Sequence, residues 1–403
     1  MVQKGLTGFF EQFLTKESIF NDRKVLQANY TPETIIHRDE QIHQMANILA
    51  PTLRLDKPSN LFLYGKSGTG KTLSIKYVTN QISQVAMQRM LPIKIFYINC
   101  KLKRVADTEY RLIAQLCREF GKAIPPTGLP TDEIYKIFFE TVDKEKQIII
   151  LILDEIDQLV KKASDDILYN LTRINSELKK SQISLVGISN DLVFTENLDP
   201  RVKSSLSEEE IVFAPYNALQ LQQILKQRAK VAFKENIVEE GVLEKCAAYA
   251  AREHGDARRA LDLLRVAAEV AERNGYSKIQ VQHIDEAEEK IENDRVLEVV
   301  STQPAQQQAI LYSIISIYNK RKDMIFTGEI YELYKGVCLQ VGLRPLTQRR
   351  VSDVVGELDM LGMINAKVIS KGRYGRTREI SLAIPSSSIT KIKRILEEGL
   401  DLN

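Results

Sequence analysis

The chain has little of what would place it outside the cell or within a membrane. Its four cysteines, Cys100, Cys117, Cys246 and Cys338, are scattered, and no Cys-x-x-Cys pair occurs. Neither a disulfide framework nor a zinc ribbon is supported. The four histidines, His37, His43, His254 and His283, show no metal-ligand spacing. The longest uninterrupted aliphatic run, Ile148 to Leu153, is far too short to span a bilayer. Met-Val-Gln-Lys at the start has no long apolar stretch behind it, so no secretory signal is read there. These absences predict a soluble cytoplasmic protein with no membrane partner. What is present is ordinary globular composition: 403 residues, 44% hydrophobic and 27% charged, room for two or three domains.

Charge is unevenly placed. Residues 301–403 carry 15 basic and 10 acidic side chains, a net of +5, which leaves 41 and 43, a net of −2, for residues 1–300. The excess concentrates in Lys367, Lys371, Arg373, Arg376 and Arg378, a stretch without an acid. Such a patch suits a phosphate backbone, and equally a solvated basic loop.

Residues 1–30 are mixed and predict a loosely docked arm. Helical spacing is read over 39–53, 72–90, 109–120, 132–142 and 165–178. Strands are read at 60–65, 94–99, 148–153 and 183–189. Apolar strands alternating with helices predict βαβ units and a parallel sheet covered on both faces. After Pro215 only helical patterns follow, to Val300. A linker is read at STQPAQQQ, from Ser301. The last unit reads as three helices and two short strands (366–370 and 377–383) around a Gly-rich turn. The expected domains are thus 1–30, 31–215, 216–300 and 301–403.

Residues 65–72 read Gly-Lys-Ser-Gly-Thr-Gly-Lys-Thr, which fits G-x-x-x-x-G-K-[ST], the phosphate-binding P-loop. A strand precedes it and a helix follows. Gly65, Gly68 and Gly70 allow a backbone that wraps phosphates with its own N–H groups, and the helix points its positive end at the anion. With Lys66, Ser67, Thr69 and Leu73, they make a candidate nucleotide cradle. Lys71 would reach the β- and γ-phosphates, and Thr72 would ligate Mg²⁺. The run IIILILDE (148–155) delivers Asp154 to a strand's carboxyl end, where it can hold Mg²⁺ through water, and Glu155, which can polarise an attacking water. Asn190 ends the strand ISLVGIS and either orients water or serves as a turn residue. In GDARRALDLLR, Asp256 can cap a helix while Arg258 points toward the phosphates, with Arg259 as the rival. The implied ligands are ATP or ADP with Mg²⁺.

The C-terminal unit carries a candidate DNA reader. Val351, Val354, Val355, Leu358 and Leu361 form one helical stripe, with Arg349, Ser352, Asp353 and Gly356 opposite and Arg350 at the flank. Thr347 is the expected N-cap, and Gln348, Arg349 and Arg350 fall in the first turn, where a recognition helix meets base edges. Gly356 would let a DNA backbone come close. The Lys371-Gly-Arg-Tyr-Gly-Arg turn, with Arg373, Tyr374, Arg376 and Arg378, would be the wing.

Together, YGKSGTGKT (64–72), ILDEIDQL (152–159), ISNDLVF (188–194), LDPRVKSSLSEEEIVFAPY (198–216), REHGDARRALDLLR (252–265) and LTQRRVSDVVGELDMLGMI (346–364) resemble the archaeal origin-recognition initiators, a branch of the AAA+ ATPases related to eukaryotic origin-recognition and licensing ATPases. The resemblance runs from IIHRDEQI (35–42) to the basic hairpin. It implies an α/β AAA+ base, a helical lid and a winged-helix domain. It also implies Ile36, His37, Arg38, Tyr216 and Arg228 at the nucleotide, and a DNA-touching insertion over 100–110 with Lys101, Lys103 and Arg104. Arg201 matches a box that can carry a trans-acting arginine, although Ser205 stands where some relatives have a second arginine. The function implied is slow, switch-like ATP hydrolysis by a nucleoid-associated initiator, with duplex origin DNA, the replicative helicase and paralogous initiators as partners. A signalling or transposition-helper ATPase with a C-terminal protein-interaction domain is the alternative.

Overall fold

Five strands build the first sheet: β1 (Asn60–Tyr64), β2 (Ile93–Asn99), β3 (Ile148–Asp154), β4 (Gln182–Ser189) and β5 (Glu208–Val212). Their order is β2-β3-β4-β1-β5, and every pairing is parallel. This computed structural model describes residues 17–27, 30–101, 108–125, 128–206, 208–321, 323–370, 376–384 and 386–402. Helices cover both faces of the sheet. α1 (Asp39–Leu49) and α2 (Lys71–Gln88) pack on Leu61, Leu63, Ile150 and Ile152. α3 (Glu109–Glu119), α4 (Thr131–Val142), α5 (Ile156–Ala163), α6 (Asp166–Glu177) and α7 (Pro200–Leu206) pack on Phe62, Ile149, Leu151 and Leu153. Alternate residues of one strand enter opposite cores, so a doubly covered strand reads as the unbroken apolar run seen at 148–153.

β5 escaped the sequence reading because it opens Glu208-Glu209-Glu210. It is an edge strand, bonded only to β1, and charge on an edge discourages further pairing.

α8 (Ala218–Ala232), α9 (Val242–Arg252) and α10 (Ala257–Arg273) form the helical block. The expected loose arm is corrected over 17–27. Glu272 of α10 is buried, and it accepts from Ser18 Oγ at 2.6 Å and the Ile19 N–H at 3.3 Å, while Arg23 pairs with its other oxygen. The Phe20 and Phe233 rings lie 5.2 Å apart, and Val25 and Leu26 are buried. A buried carboxylate demands such donors, and this one takes them from the N-terminal stretch.

The linker expected at Ser301 is also corrected. α11 (Val281–Thr302) runs through Ser301, and α12 (Ala305–Arg321) follows after Pro304. Alanine and glutamine favour helix, so only the proline interrupts. The chain instead divides into two compact units between Ile284 and Asp285, within the first turn of α11.

In the second unit, α12 is followed by β6 (Ile325–Phe326), α13 (Thr327–Gln340), α14 (Gln348–Met360), β7 (Ile364–Ser370), β8 (Arg376–Leu382) and α15 (Ser386–Gly399). The antiparallel sheet runs β6-β8-β7. β6 and α15 were not read from the sequence. α15 sends Ile389, Ile392 and Leu396 into the same core as Val351, Val355 and Tyr334. Among the described residues no helix is long and apolar enough to cross a membrane.

Candidate functional site

A cavity of about 530 Å³ opens at the carboxyl ends of the first sheet's strands, where open α/β sheets bind ligands. Ser67 to Leu73 line it, together with Ile36, Lys101, Asp154, Glu155, Asn190, Tyr216, Arg228 and Arg258. Backbone at two glycines explains the close fit. Gly68 has φ 70°, and a Cβ there would lie 1.7 Å from Asp256 Oδ1. Gly70 has φ 93°, and its Cβ would lie 2.8 Å from the Tyr216 hydroxyl. The Ala257 N–H donates to the Gly68 carbonyl at 3.3 Å, so the first turn of α10 sits against the loop.

Lys71 is 5% exposed and fully engaged. Its ammonium donates to the carbonyls of Gly65 at 2.6 Å and Lys66 at 2.9 Å, and to Asn190 Oδ1 at 2.9 Å. Burial pulls its pKa down to about 8, partly offset by Asp154. Thr72 Oγ1 donates to Asp154 Oδ2 at 2.9 Å, and the Glu155 N–H donates to Asp154 Oδ1 at 2.9 Å. Glu155 sits at the junction of β3 and α5 with φ 55°, a left-handed conformation, and its carboxylate lies 3.6 Å from the Lys101 ammonium.

The two arginines of GDARR diverge. Asp256 caps α10 by accepting from the N–H groups of both. Arg259 turns to Glu253 at 2.9 Å, whereas Arg258 lines the cavity. Arg228 lies over the Tyr30 ring at 4.7 Å, and its Nη1 is buried with no hydrogen-bond partner among the described residues.

Several sequence expectations land elsewhere. His37 and Arg38 do not line the cavity. The Arg38 guanidinium donates to the carbonyls of Thr69 at 2.9 Å and Ala214 at 2.6 Å and stacks on the Tyr216 ring at 3.9 Å. It ties the P-loop to the segment after β5. Gly65 and Lys66 also lie off the cavity wall, with Lys66 Nζ 3.4 Å from His254 Nδ1. Arg201 is on α7, 79% exposed and paired with Asp199 at 3.1 Å. Lys103, Arg104, Lys371, Arg373 and Tyr374 lie outside the described residues, and Arg376 is described by its backbone alone.

Sequence reasoning missed a second set of wall residues. Gln27, Tyr30 and Thr34 come from the N-terminal stretch, and Gln227, next to Arg228, donates to Thr34 Oγ1 at 2.6 Å. Tyr97 comes from β2, and its hydroxyl donates to Asp154 Oδ2 at 2.6 Å. Burial and then Asp154 raise the Tyr97 pKa, which keeps the phenol a donor. Asn99 pairs in register with Asp154, so Tyr97, two residues before it, shares the strand face and carboxyl end that could have marked it.

The chemistry of this set fits a nucleoside triphosphate and a divalent cation. It offers a buried ammonium and a buried guanidinium whose Nη1 has no hydrogen-bond partner among the described residues, for anionic or polar oxygens, and hydroxyl and carboxylate oxygens for a hard cation.

In the second unit, Thr347 Oγ1 accepts from the Arg350 N–H at 3.4 Å and caps α14. Val351, Val354, Val355 and Leu358 are buried, but Leu361 is 47% exposed at the C-cap, which ends the stripe early. Gln348 and Arg349 are exposed in the first turn. Arg350 is drawn back along the helix toward Glu357 at 3.5 Å and Asp353 at 3.8 Å. Gly356 is corrected: the space beside it holds the protein's own Arg378, whose Nη1 donates to the Ser352 carbonyl at 2.9 Å.

Residues 54–193 match the family described as AAA domain, 222–289 the Cdc6 AAA+ ATPase-type lid domain, and 298–392 the CDC6 C terminal winged helix domain. The chain is 51% identical to the ORC1-type DNA replication protein 1 of Methanosarcina mazei, over 96% of this chain and 94% of that one. It is 50% identical to the ORC1-type DNA replication protein of Pyrococcus abyssi, over 97% and 94%. The solved structure of the Aeropyrum pernix ORC1 protein in complex with DNA superposes with TM-score 0.81 and 44% identity, over 95% of this chain and 98% of that one.

Proposed function

The chain belongs to the ORC1-type DNA replication proteins, AAA+ ATPases with a Cdc6-type lid and winged helix, and on that footing we propose that it is an ATP-switched initiator that grips duplex origin DNA and receives the replicative helicase. The observation that carries the nucleotide half is the convergence of Lys71, Asn190, Asp154 and Glu155 on one cavity.

In this reading the P-loop N–H groups and Lys71 hold the phosphates, and Tyr30, Tyr216 and Arg228 enclose the nucleoside end. Thr72 and Asp154 would hold Mg²⁺, which when bound neutralises charge on the β- and γ-oxygens. Glu155 accepts the proton of the attacking water, and Asn190 orients that water against the γ-phosphate. Arg258, at the start of the lid helix, carries the state of that phosphate to α10. Arg201, turned to solvent, serves a neighbouring subunit if it serves any.

The DNA half rests on an exposed Arg349 and Gln348 at the capped start of α14 beside the β7–β8 hairpin. Docked in a major groove, that turn reaches base edges while the basic hairpin meets backbone or minor groove. Lys101 and the segment after it supply a second contact. The test is footprinting of the full chain on genomic DNA, with and without ATP. Protection of discrete sites that an Arg349→Ala variant loses supports the reading. Equal protection everywhere, or none, favours a C-terminal domain that binds protein.

A further inference from the structure

Asp154 is held from three directions. Oδ1 accepts the Glu155 N–H at 2.9 Å, and Oδ2 accepts both the Thr72 hydroxyl at 2.9 Å and the Tyr97 hydroxyl at 2.6 Å. The carboxylate is buried, at 6% exposure, so its orientation is set by these donors rather than by water. The Tyr97 ring, 38% exposed, has Lys76 Nζ 4.0 Å from its centroid. Thr72 and Lys76 are one turn apart on α2 and share a face. One face of α2 therefore grips Asp154 directly through Thr72 and indirectly through Lys76 and the phenol.

The Thr72 hydroxyl and Asp154 are the oxygens assigned above to the cation. A hydroxyl that offers its lone pairs to a cation keeps its proton for an acceptor, and Asp154 Oδ2 is the acceptor in place. The phenol is a further donor to the same oxygen. It comes from β2, the edge strand of the sheet, rather than from the P-loop helix, although Lys76 of that helix contacts the ring. Partners of this kind fix the orientation of a metal-serving carboxylate.

We propose that Tyr97 is a positioning residue for ATP hydrolysis: it fixes the Asp154 carboxylate and so sets how much divalent cation the site requires. The proposal rests on the reading of Thr72 and Asp154 as the cation's residues. Lys76 belongs to the same device through its contact with the ring.

The test compares wild type with Tyr97→Phe, which keeps the ring, its packing and the Lys76 contact and removes only the hydroxyl. Three quantities are read: the Mg²⁺ concentration for half-maximal hydrolysis, the Kd of Mn²⁺ in the presence of ATP by electron paramagnetic resonance, and the Kd of a fluorescent ATP analogue in EDTA. Tyr97→Phe is expected to raise the first two roughly tenfold or more. It should leave the third unchanged, and saturating Mg²⁺ should restore kcat. An unchanged Mg²⁺ requirement overturns the proposal. A kcat that stays low at saturating Mg²⁺ also overturns it, because the hydroxyl then acts on the reaction itself or on the fold. Thr72→Ala is the control for the underlying reading. If Thr72→Ala leaves the Mn²⁺ affinity unchanged, the cation assignment fails, whatever Tyr97→Phe does.

Discussion

The Lys71 ammonium and the Asn190 side-chain carbonyl, 119 residues apart in the chain, meet at 2.9 Å. The lysine that would reach the phosphates is already coupled to the residue that would orient water. A ligand that draws Lys71 away frees the Asn190 amide oxygen, so the two groups respond together. Replacing Lys71 by alanine should weaken both ATP and ADP, since it removes the loop lysine that lines the cavity, Lys66 being turned to His254.

Nucleotide affinity should depend on pH through the same lysine. In the free protein burial holds its pKa near 8, against 10.5 in the unfolded chain. Between these values the unfolded chain binds the proton and the folded one does not, so burial of Lys71 costs stability below pH 8 and the cost fades as pH rises to 10.5. A bound triphosphate restores the proton. Affinity should therefore be level below about pH 8 and fall above it, with proton uptake in calorimetry repeated in two buffers. Lys71→Ala should show no uptake.

Glu155→Gln should bind ATP as wild type does and lose turnover by at least ~100-fold, since an amide cannot take the proton of water. Single-turnover hydrolysis of radiolabelled ATP measures this. Comparable turnover in both proteins would remove the catalytic assignment.

Arg258 and Arg201 separate by protein concentration. Arg258 lines the cavity of its own chain, so Arg258→Ala should lower hydrolysis at every concentration. Arg201 is exposed and bonded only to Asp199 among the described residues, so its loss should matter only where subunits meet. A concentration-independent defect in Arg201→Ala would end the trans role.

Arg349 and Arg378 should differ on DNA. Arg349→Ala is expected to cost ~1–3 kcal/mol on the preferred site and to flatten discrimination against random duplex, without lowering Tm. Arg378 ties β8 to the backbone of α14 at Ser352. Its loss should lower Tm by the equivalent of about 1 kcal/mol and weaken all DNA alike. Competition binding across a salt series, with thermal melts, reads both. Equal loss on both duplexes for Arg349→Ala would make it a phosphate contact.

The N-terminal stretch should contribute to stability despite its mixed composition. Arg23→Ala removes a charged donor from buried Glu272 and should cost roughly 1–3 kcal/mol in denaturant unfolding. No change would return the stretch to a passive arm.

Phosphate-loop spacing, the apolar run before Asp154 and the capping aspartate of GDARR were readable because each is a local rule. β3 and its acid are announced by six consecutive aliphatic residues, and Asp256 by its place before a helical stripe. Other features depend on partners distant in sequence. β5 reads as a charged run because only β1 makes it a strand. Arg38 looks free for a base, yet carbonyls 31 and 176 residues away take it. The phenol of Tyr97 looks like an ordinary strand aromatic until Asp154 lies beside it. Gly356 likewise reads as an opening for a foreign backbone, but a guanidinium from β8 fills the space.

Glu155 stands where its own backbone disfavours it. At φ 55° a side chain with a Cβ costs on the order of 1–2 kcal/mol relative to an ordinary helical or extended conformation, and glycine would largely escape that penalty. The buried strand before it and the helix after it over-determine the bend. The strain is the conformational cost of aiming a carboxylate outward at the point where strand gives way to helix. Selection for thermal robustness alone would push this position toward glycine, and on the proposed role of Glu155 the resulting protein would be sturdier and without turnover. On the proposed role, the fold and the reaction make opposing demands on this single residue.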